Sequence, residues 1–173
     1  MNHNARAKKI SLNGILLALA MMSLFAATVL PTSRLSFYAL SSFFVAIIII
    51  EFGIKAGWVF YVASCILSLI VIPDKIGLLP YIVFFGLYGL VKFYVEKLCS
   101  IVLEYMIKIL YFSGCLFLAI YLIKDFLFKN IEIKFPIWVL VILLEFVFIL
   151  YDYVYTRFIQ YYNEKLRRIL KIE

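Results

Sequence analysis

Six long stretches of the chain carry no charged side chain, or a single one: Ile10–Ser33, Leu35–Ile50, Ala56–Pro73, Ile76–Val91, Ile109–Ile123 and Phe135–Tyr151, the last broken only by Glu145. Crossing a hydrocarbon core of about 30 Å takes about 20 residues of helix. Backbone groups inside lipid must pair within their own segment, so apolar runs of this length are helices. The shorter ones gain reach from flanking Lys and Arg, whose charged heads extend to the headgroup region. The pattern predicts an all-α, polytopic integral membrane protein with six transmembrane helices, at about 10–30, 35–50, 56–73, 76–91, 105–123 and 136–157. A basic helical tail follows over 158–173, and the whole chain, 1–173, is expected to form one domain.

Composition excludes the alternatives. The chain is 66% hydrophobic and 16% charged, against about 45–50% apolar and about 25% charged in an average soluble domain. A water-soluble body of this size cannot hide that much apolar surface. A disordered chain or a disulfide-stapled secreted module is excluded on the same ground. The first apolar run is longer than a signal-peptide core and no Ala-x-Ala site follows it, so it reads as a retained first span.

The breaks between spans have local causes. Pro31, with Thr32 and Ser33, ends the first helix. Glu51, Gly53, Lys55 and Gly57 separate the second from the third, and Pro73-Asp74-Lys75 the third from the fourth. Lys97, Glu104 and Lys108 recur on one helical face, which predicts an amphipathic inner segment over 92–108. Lys124–Lys134 reads as the longest outer loop, closed by Pro136.

Orientation follows from the cations. With the N-terminus inside, twelve of the 17 Lys and Arg fall on inner segments and five on outer ones. The outer five are Arg34, Lys75, Lys124, Lys129 and Lys134. That asymmetry satisfies the positive-inside rule with both termini cytoplasmic. The net charge of +7 is thereby accounted for without nucleic acid, since no basic stretch is interleaved with stacking aromatics outside the apolar runs. Cys65, Cys99 and Cys115 form no Cys-x-x-Cys pair, and the one histidine, His3, lies in the polar leader. A metal site or a Cys/His nucleophile therefore lacks its parts, and no cofactor is expected.

Few residues could carry chemistry. Glu145 lies about 12 Å into the sixth helix at 1.5 Å per residue. A charged carboxylate at that depth costs at least about 2.5–3.5 kcal/mol, so it must be protonated, paired, or facing a polar cavity. Asp152, seven residues on, shares its face. The two acids could line a polar pocket or a proton path, or else make a structural bond to another helix, with Lys108 as one partner. An intramembrane enzyme would rest on these two acids alone, because no Ser-x-x-Lys or His-Glu-x-x-His motif accompanies them. Gly14-x-x-x-Ala18 is a small-x-x-x-small pair that lets another helix approach closely, inside the bundle or from a partner subunit. Gly86 and Gly89, following Pro80, mark close packing or a bent helix. At the outer rim Arg34, Tyr38, Tyr81, Tyr121 and Trp138, with Glu145 below them, could form an aromatic-walled pocket, or simply an aromatic belt with solvated charges.

The six spans, the short loops, the alanine-rich first helix and the segment Glu51-Phe-Gly-Ile-Lys-Ala-Gly-Trp58, followed by Leu67–Pro73, resemble the substrate-binding S-components of energy-coupling factor transporters, which are bacterial vitamin importers. Uncharacterised bacterial six-helix membrane proteins share the same front-half pattern. The resemblance covers mainly residues 8–92. In that family an Ala-x-x-x-Ala pair on helix one contacts the membrane coupling subunit, and here Gly14-x-x-x-Ala18 stands nearest to it, a departure from the pattern. The resemblance implies a pocket open to the outside, built from helices four to six, and docking on a coupling subunit driven by two ATPases. This chain has no phosphate-binding loop of its own, as such a subunit would not.

Two functions follow as expectations. One is a non-enzymatic, small-solute-binding subunit of an energy-coupled importer in the bacterial plasma membrane, binding solute through Arg34, Tyr38, Tyr81, Tyr121, Trp138 and Glu145. The other is a non-enzymatic membrane scaffold subunit in envelope assembly, whose inner segment and basic tail recruit partners.

Overall fold

In a computed structural model, residues 3–98, 101–130 and 137–166 are described, and among them every regular element is helical. Six long helices follow one another: α1 (His3–Val29), α2 (Arg34–Phe52), α3 (Ile54–Val71), α4 (Lys75–Val95), α5 (Ile101–Asn130) and α6 (Ile137–Tyr161). Among the described residues five segments are long and apolar enough to cross a membrane: Ile10–Val29 in α1, Pro31–Phe52 through the first turn and α2, Ile54–Val71, Lys75–Val95, and Val102–Ala119 in α5. The sixth long helix, α6, carries Glu145, Asp152 and Arg157 along its length.

The connections from α1 through α4 are short, so these helices alternate in direction and the bundle has two distinct ends. A three-residue 3-10 turn, Pro31–Ser33, joins α1 to α2 because proline supplies no N–H to continue the ladder. Gly53 alone joins α2 to α3; its φ of 84° is a conformation L side chains rarely adopt, so the turn needs a residue without a Cβ. Asp74 caps α4 by accepting from the Gly77 N–H at 2.8 Å. The α1/α2 and α3/α4 turns define the Arg34 end of the bundle. The α2/α3 and α4/α5 turns define the Lys92 end.

α4 is the central helix, and its course is set by Pro80. A wide π turn, Tyr81–Phe85, follows the proline before α-helical geometry resumes at Gly86. Backbone acceptors of this turn receive hydroxyls and a thiol from neighbouring helices. Tyr61 of α3 donates to the Ile82 carbonyl at 2.7 Å, while Tyr111 and Cys115 of α5 reach the Val83 carbonyl at 3.3 and 3.5 Å. In lipid an irregular backbone persists where neighbours satisfy it in this way.

Packing on α4 is close. A Cβ on Gly89 would stand 2.3 Å from the Tyr155 hydroxyl, so α6 approaches α4 at the point where the side chain is absent. Gly86 similarly admits the Tyr61 ring of α3. Of the two readings the glycine pair left open, both apply: the helix is irregular just before Gly86 and tightly packed at both glycines. Ser41, Ser42, Ser64 and Ser68 are fully buried, and each hydroxyl bonds a neighbouring backbone carbonyl. Small polar residues are thus used as interhelical and intrahelical filler, as is common between helices in membranes.

Three boundaries differ from the sequence expectation. The inner amphipathic segment over 92–108 is not one element: residues up to Val95 complete α4, a turn follows, and α5 begins at Ile101. Lys92 and Lys108 are 1% and 3% exposed because carboxylates from α5, α6 and the turn after α4 surround them, although Lys108 was expected on the polar face of that segment. Helix five runs on to Asn130, so Lys124–Asn130 is helical rather than loop. Pro136 and the tail beyond residue 166 lie outside the described residues.

Candidate functional site

Two features set the chemistry of the bundle, an apolar pocket toward the Arg34 end and a charged cluster toward the Lys92 end. The pocket has a volume of about 180 Å³ and lies between α4, α5 and α6, with Leu35 of α2 at its edge. Pro80, Val83, Phe84 and Phe85 form the α4 wall; Phe112, Cys115, Leu116 and Ala119 the α5 wall; Leu144, Val147, Phe148 and Tyr151 the α6 wall. The π turn therefore supplies three of the four α4 residues. Only Cys115 and Tyr151 bring polar atoms, and both are engaged elsewhere. The thiol donates to the Val83 carbonyl, and the Tyr151 hydroxyl lies 2.8 Å from the Ser42 hydroxyl of α2.

An aromatic layer closes the pocket toward the Lys92 end. Phe112 and Phe148 stack with centroids 4.5 Å apart, and Phe84 meets both edge-on at 5.2 and 5.7 Å. Offset and edge-to-face pairs of this kind add about 0.5–1.5 kcal/mol each beyond area burial.

Beyond that layer lies the charged cluster. Asp152 of α6 accepts from Lys92 Nζ and the Tyr88 hydroxyl, both at 2.5 Å on Oδ1, and from Lys108 Nζ at 3.0 Å on Oδ2. Lys92 also donates to Thr156 at 2.8 Å and pairs with Glu96 at 2.7 Å. Lys108 pairs with Glu104 at 2.6 Å. Two cations, from α4 and α5, thus meet three carboxylates, from the turn after α4, from α5 and from α6. Every ammonium here has carboxylate partners, the condition under which a buried charge is tolerated. Asp152 makes the interhelical ion pair with Lys108 that was one of the two readings its sequence position offered.

Glu145 stands apart from that network. It is half-buried and accepts from the Ser113 hydroxyl of α5 at 3.0 Å. The Phe112–Phe148 pair lies between the two acids along α6 and α5, so they do not share one polar chamber.

The remaining candidate residues are dispersed. Arg34 and Tyr38 belong together at the Arg34 end: Arg34 Nη2 is 3.5 Å from Asp74 Oδ2, and the Tyr38 hydroxyl donates to the Gly77 carbonyl. Tyr38 also packs on Phe85 of the pocket wall, with ring centroids 5.7 Å apart. Tyr81 is fully buried and turns toward α3, its hydroxyl 2.8 Å from Ser64. Tyr121 is exposed on the outside of α5. The Trp138 side chain lies outside the described residues. Gly14 and Ala18 both face outward on α1, and a Cβ on Gly14 would meet nothing within 4 Å. Gly14 lines a groove between α1 and α3 that includes Asn13, Leu17, Lys55 and Phe60.

Sequence reasoning missed the pocket walls. Phe84, Phe112 and Phe148 look like any lipid-facing aromatic in a chain that is 18% aromatic, and the one local signal was Pro80. No protein-family model, no curated protein and no solved structure matches the chain.

Proposed function

We propose that the protein is a small-solute-binding subunit of an energy-coupled importer, a six-span protein of the bacterial plasma membrane with both termini cytoplasmic and no ATPase activity. The observation that carries this reading is the pocket of about 180 Å³ walled by α4, α5 and α6. Under the orientation drawn from the cation count, the Arg34 end faces outward, and the pocket lies in that half. The charged cluster suits the reading too, because it pins the same three helices at the other end and leaves the outer half free to adapt.

The outward-facing Gly14 and Ala18 pair supports a membrane coupling subunit as partner. Small residues exposed on a helix in lipid permit close approach by another helix, and here the bundle itself does not occupy them. The coupling subunit and its ATPases would supply the energy.

A thermal-shift screen of vitamin-sized solutes on detergent-purified protein tests this. Binding at a hundredfold excess over Kd stabilises by about 2.7 kcal/mol, so a ligand raises the melting temperature measurably. Leu116→Phe in the pocket wall is expected to weaken that shift while the protein stays folded, and Tyr121→Ala, on the outside of α5, to leave it unchanged. No stabilising solute, together with no ATPase co-purifying from the native membrane, rejects the importer and favours the scaffold.

A further inference from the structure

From the pocket walls and the single arginine at their edge, we infer that the ligand is a single-chain anionic amphiphile, its hydrocarbon part in the pocket and its head at Arg34. This rests on the solute-binding reading and names the class of solute.

The walls are the first ground. Their two polar atoms, the Cys115 thiol and the Tyr151 hydroxyl, are bonded to Val83 and Ser42. A solute group that needs hydrogen bonds would lose its water there and gain nothing, at a cost of about 1–3 kcal/mol for each group left unpaired. A hydrocarbon chain loses nothing. The volume is also informative: about 180 Å³ is slightly more than the roughly 150 Å³ of an apolar cavity that stays dry and admits benzene. The pocket therefore takes on the order of six or seven carbon atoms.

The head group follows from Arg34. This residue immediately precedes Leu35, which lines the pocket edge, and Tyr38 one turn later packs on Phe85 of the wall. Its Nε is buried and donates to nothing, and its one carboxylate neighbour, Asp74, stands 3.5 Å away and also caps α4. Lys75 donates to the Leu69 and Ile72 carbonyls and pairs with no carboxylate among the described residues. Arg34, Asp74 and Lys75 together leave one formal positive charge, and the Arg34 side chain, 39% exposed, presents its guanidinium to a carboxylate or phosphate oxygen.

The test uses octanoic acid bearing a mid-chain diazirine, and the matching alcohol, photolysed with the protein in phosphatidylcholine nanodiscs. Adducts are mapped by peptide mass spectrometry. The acid is expected to label the peptides containing Val83–Phe85 and Phe112–Ala119. Ala119→Trp, or Leu116→Phe if the first variant does not fold, fills the pocket and should cut those adducts about tenfold. Adducts at Leu110, which faces outward from α5 and is 75% exposed, should be unchanged and report that the helix is intact. Arg34→Gln should cut pocket labelling by the acid about tenfold, the loss of one charge-assisted bond, and leave labelling by the alcohol as it was. Undiminished adducts in the filled variants, or an equal effect of Arg34→Gln on both probes, would overturn the inference. Labelling reports occupancy alone. A solute that stabilises the protein while the acid fails to label the pocket removes the amphiphile and spares the importer; pocket labelling with no co-purifying ATPase does the reverse.

Discussion

Phe112 of α5 and Phe148 of α6 lie face to face, their ring planes 5° apart, and this single stack divides the polar chemistry of the bundle. On one side Glu145 is bonded to Ser113; on the other Asp152 is held by Lys92, Lys108 and Tyr88. The same stack closes the apolar pocket. One aromatic pair therefore separates the half of the molecule that holds the apolar pocket from the half that holds the charged cluster.

Removing half of that stack should be costly. Phe112→Ala loses the ring contacts with Phe84 and Phe148 and extends the pocket toward the charged cluster. A destabilisation of about 3–5 kcal/mol is expected for truncating a buried Phe. Urea or heat unfolding of the detergent-solubilised variant measures it, and Phe112→Leu should lose less.

Neutralising Asp152 should cost a similar amount for a different reason. Asp152→Asn leaves Lys92 and Lys108 buried with one carboxylate fewer, and breaking a buried pair in this way costs about 3–5 kcal/mol. Thr156→Val removes only one of the bonds to Lys92 and should cost about 1 kcal/mol. Melting temperatures should order wild type, Thr156→Val and Asp152→Asn from highest to lowest.

Gly89 and Tyr155 are coupled. A methyl group at 89 collides with the Tyr155 hydroxyl, which donates to the Ser42 carbonyl at 3.2 Å. Gly89→Ala should destabilise by about 1–3 kcal/mol. Adding Tyr155→Phe removes the colliding oxygen, so the double variant should lose less than the sum of the single ones. Strict additivity in that cycle would show that the two helices approach elsewhere.

At the Arg34 end, Asp74 has two duties, the cap on Gly77 and the neighbour of Arg34. Asp74→Ala should cost about 1 kcal/mol, the usual price of a lost cap. Asp74→Ser restores a capping oxygen without the charge and should recover most of that loss. Equal melting temperatures for the Ala and Ser variants would mean that the cap contributes nothing.

Ser113→Ala tests the other acid. It deletes the donor to Glu145, and an interhelical bond in a membrane bundle is worth about 0.6 kcal/mol on average. A small loss of that order in an unfolding titration is expected, far below the effect of Asp152→Asn.

The helical class, the long apolar segments and the turns at Pro31, Gly53 and Pro73-Asp74 were all legible in the sequence, because each rests on local physics. A run of apolar residues pays for its own place in lipid, a proline ends a hydrogen-bond ladder wherever it stands, and a glycine permits a positive φ whatever surrounds it. Pairing across helices is not local. Lys108 could be offered from the sequence as one partner for the acids of α6, but nothing nearby in sequence reveals that Lys92, 60 residues from Asp152, meets the same carboxylate. Glu145 and Asp152 share a helix face and were grouped on that ground, yet Phe148 between them meets Phe112 of α5 and parts them. The pocket is likewise a property of three helices at once: its phenylalanines are chemically identical to those facing lipid, and only the packing of α4 against α5 and α6 decides which of them line a void.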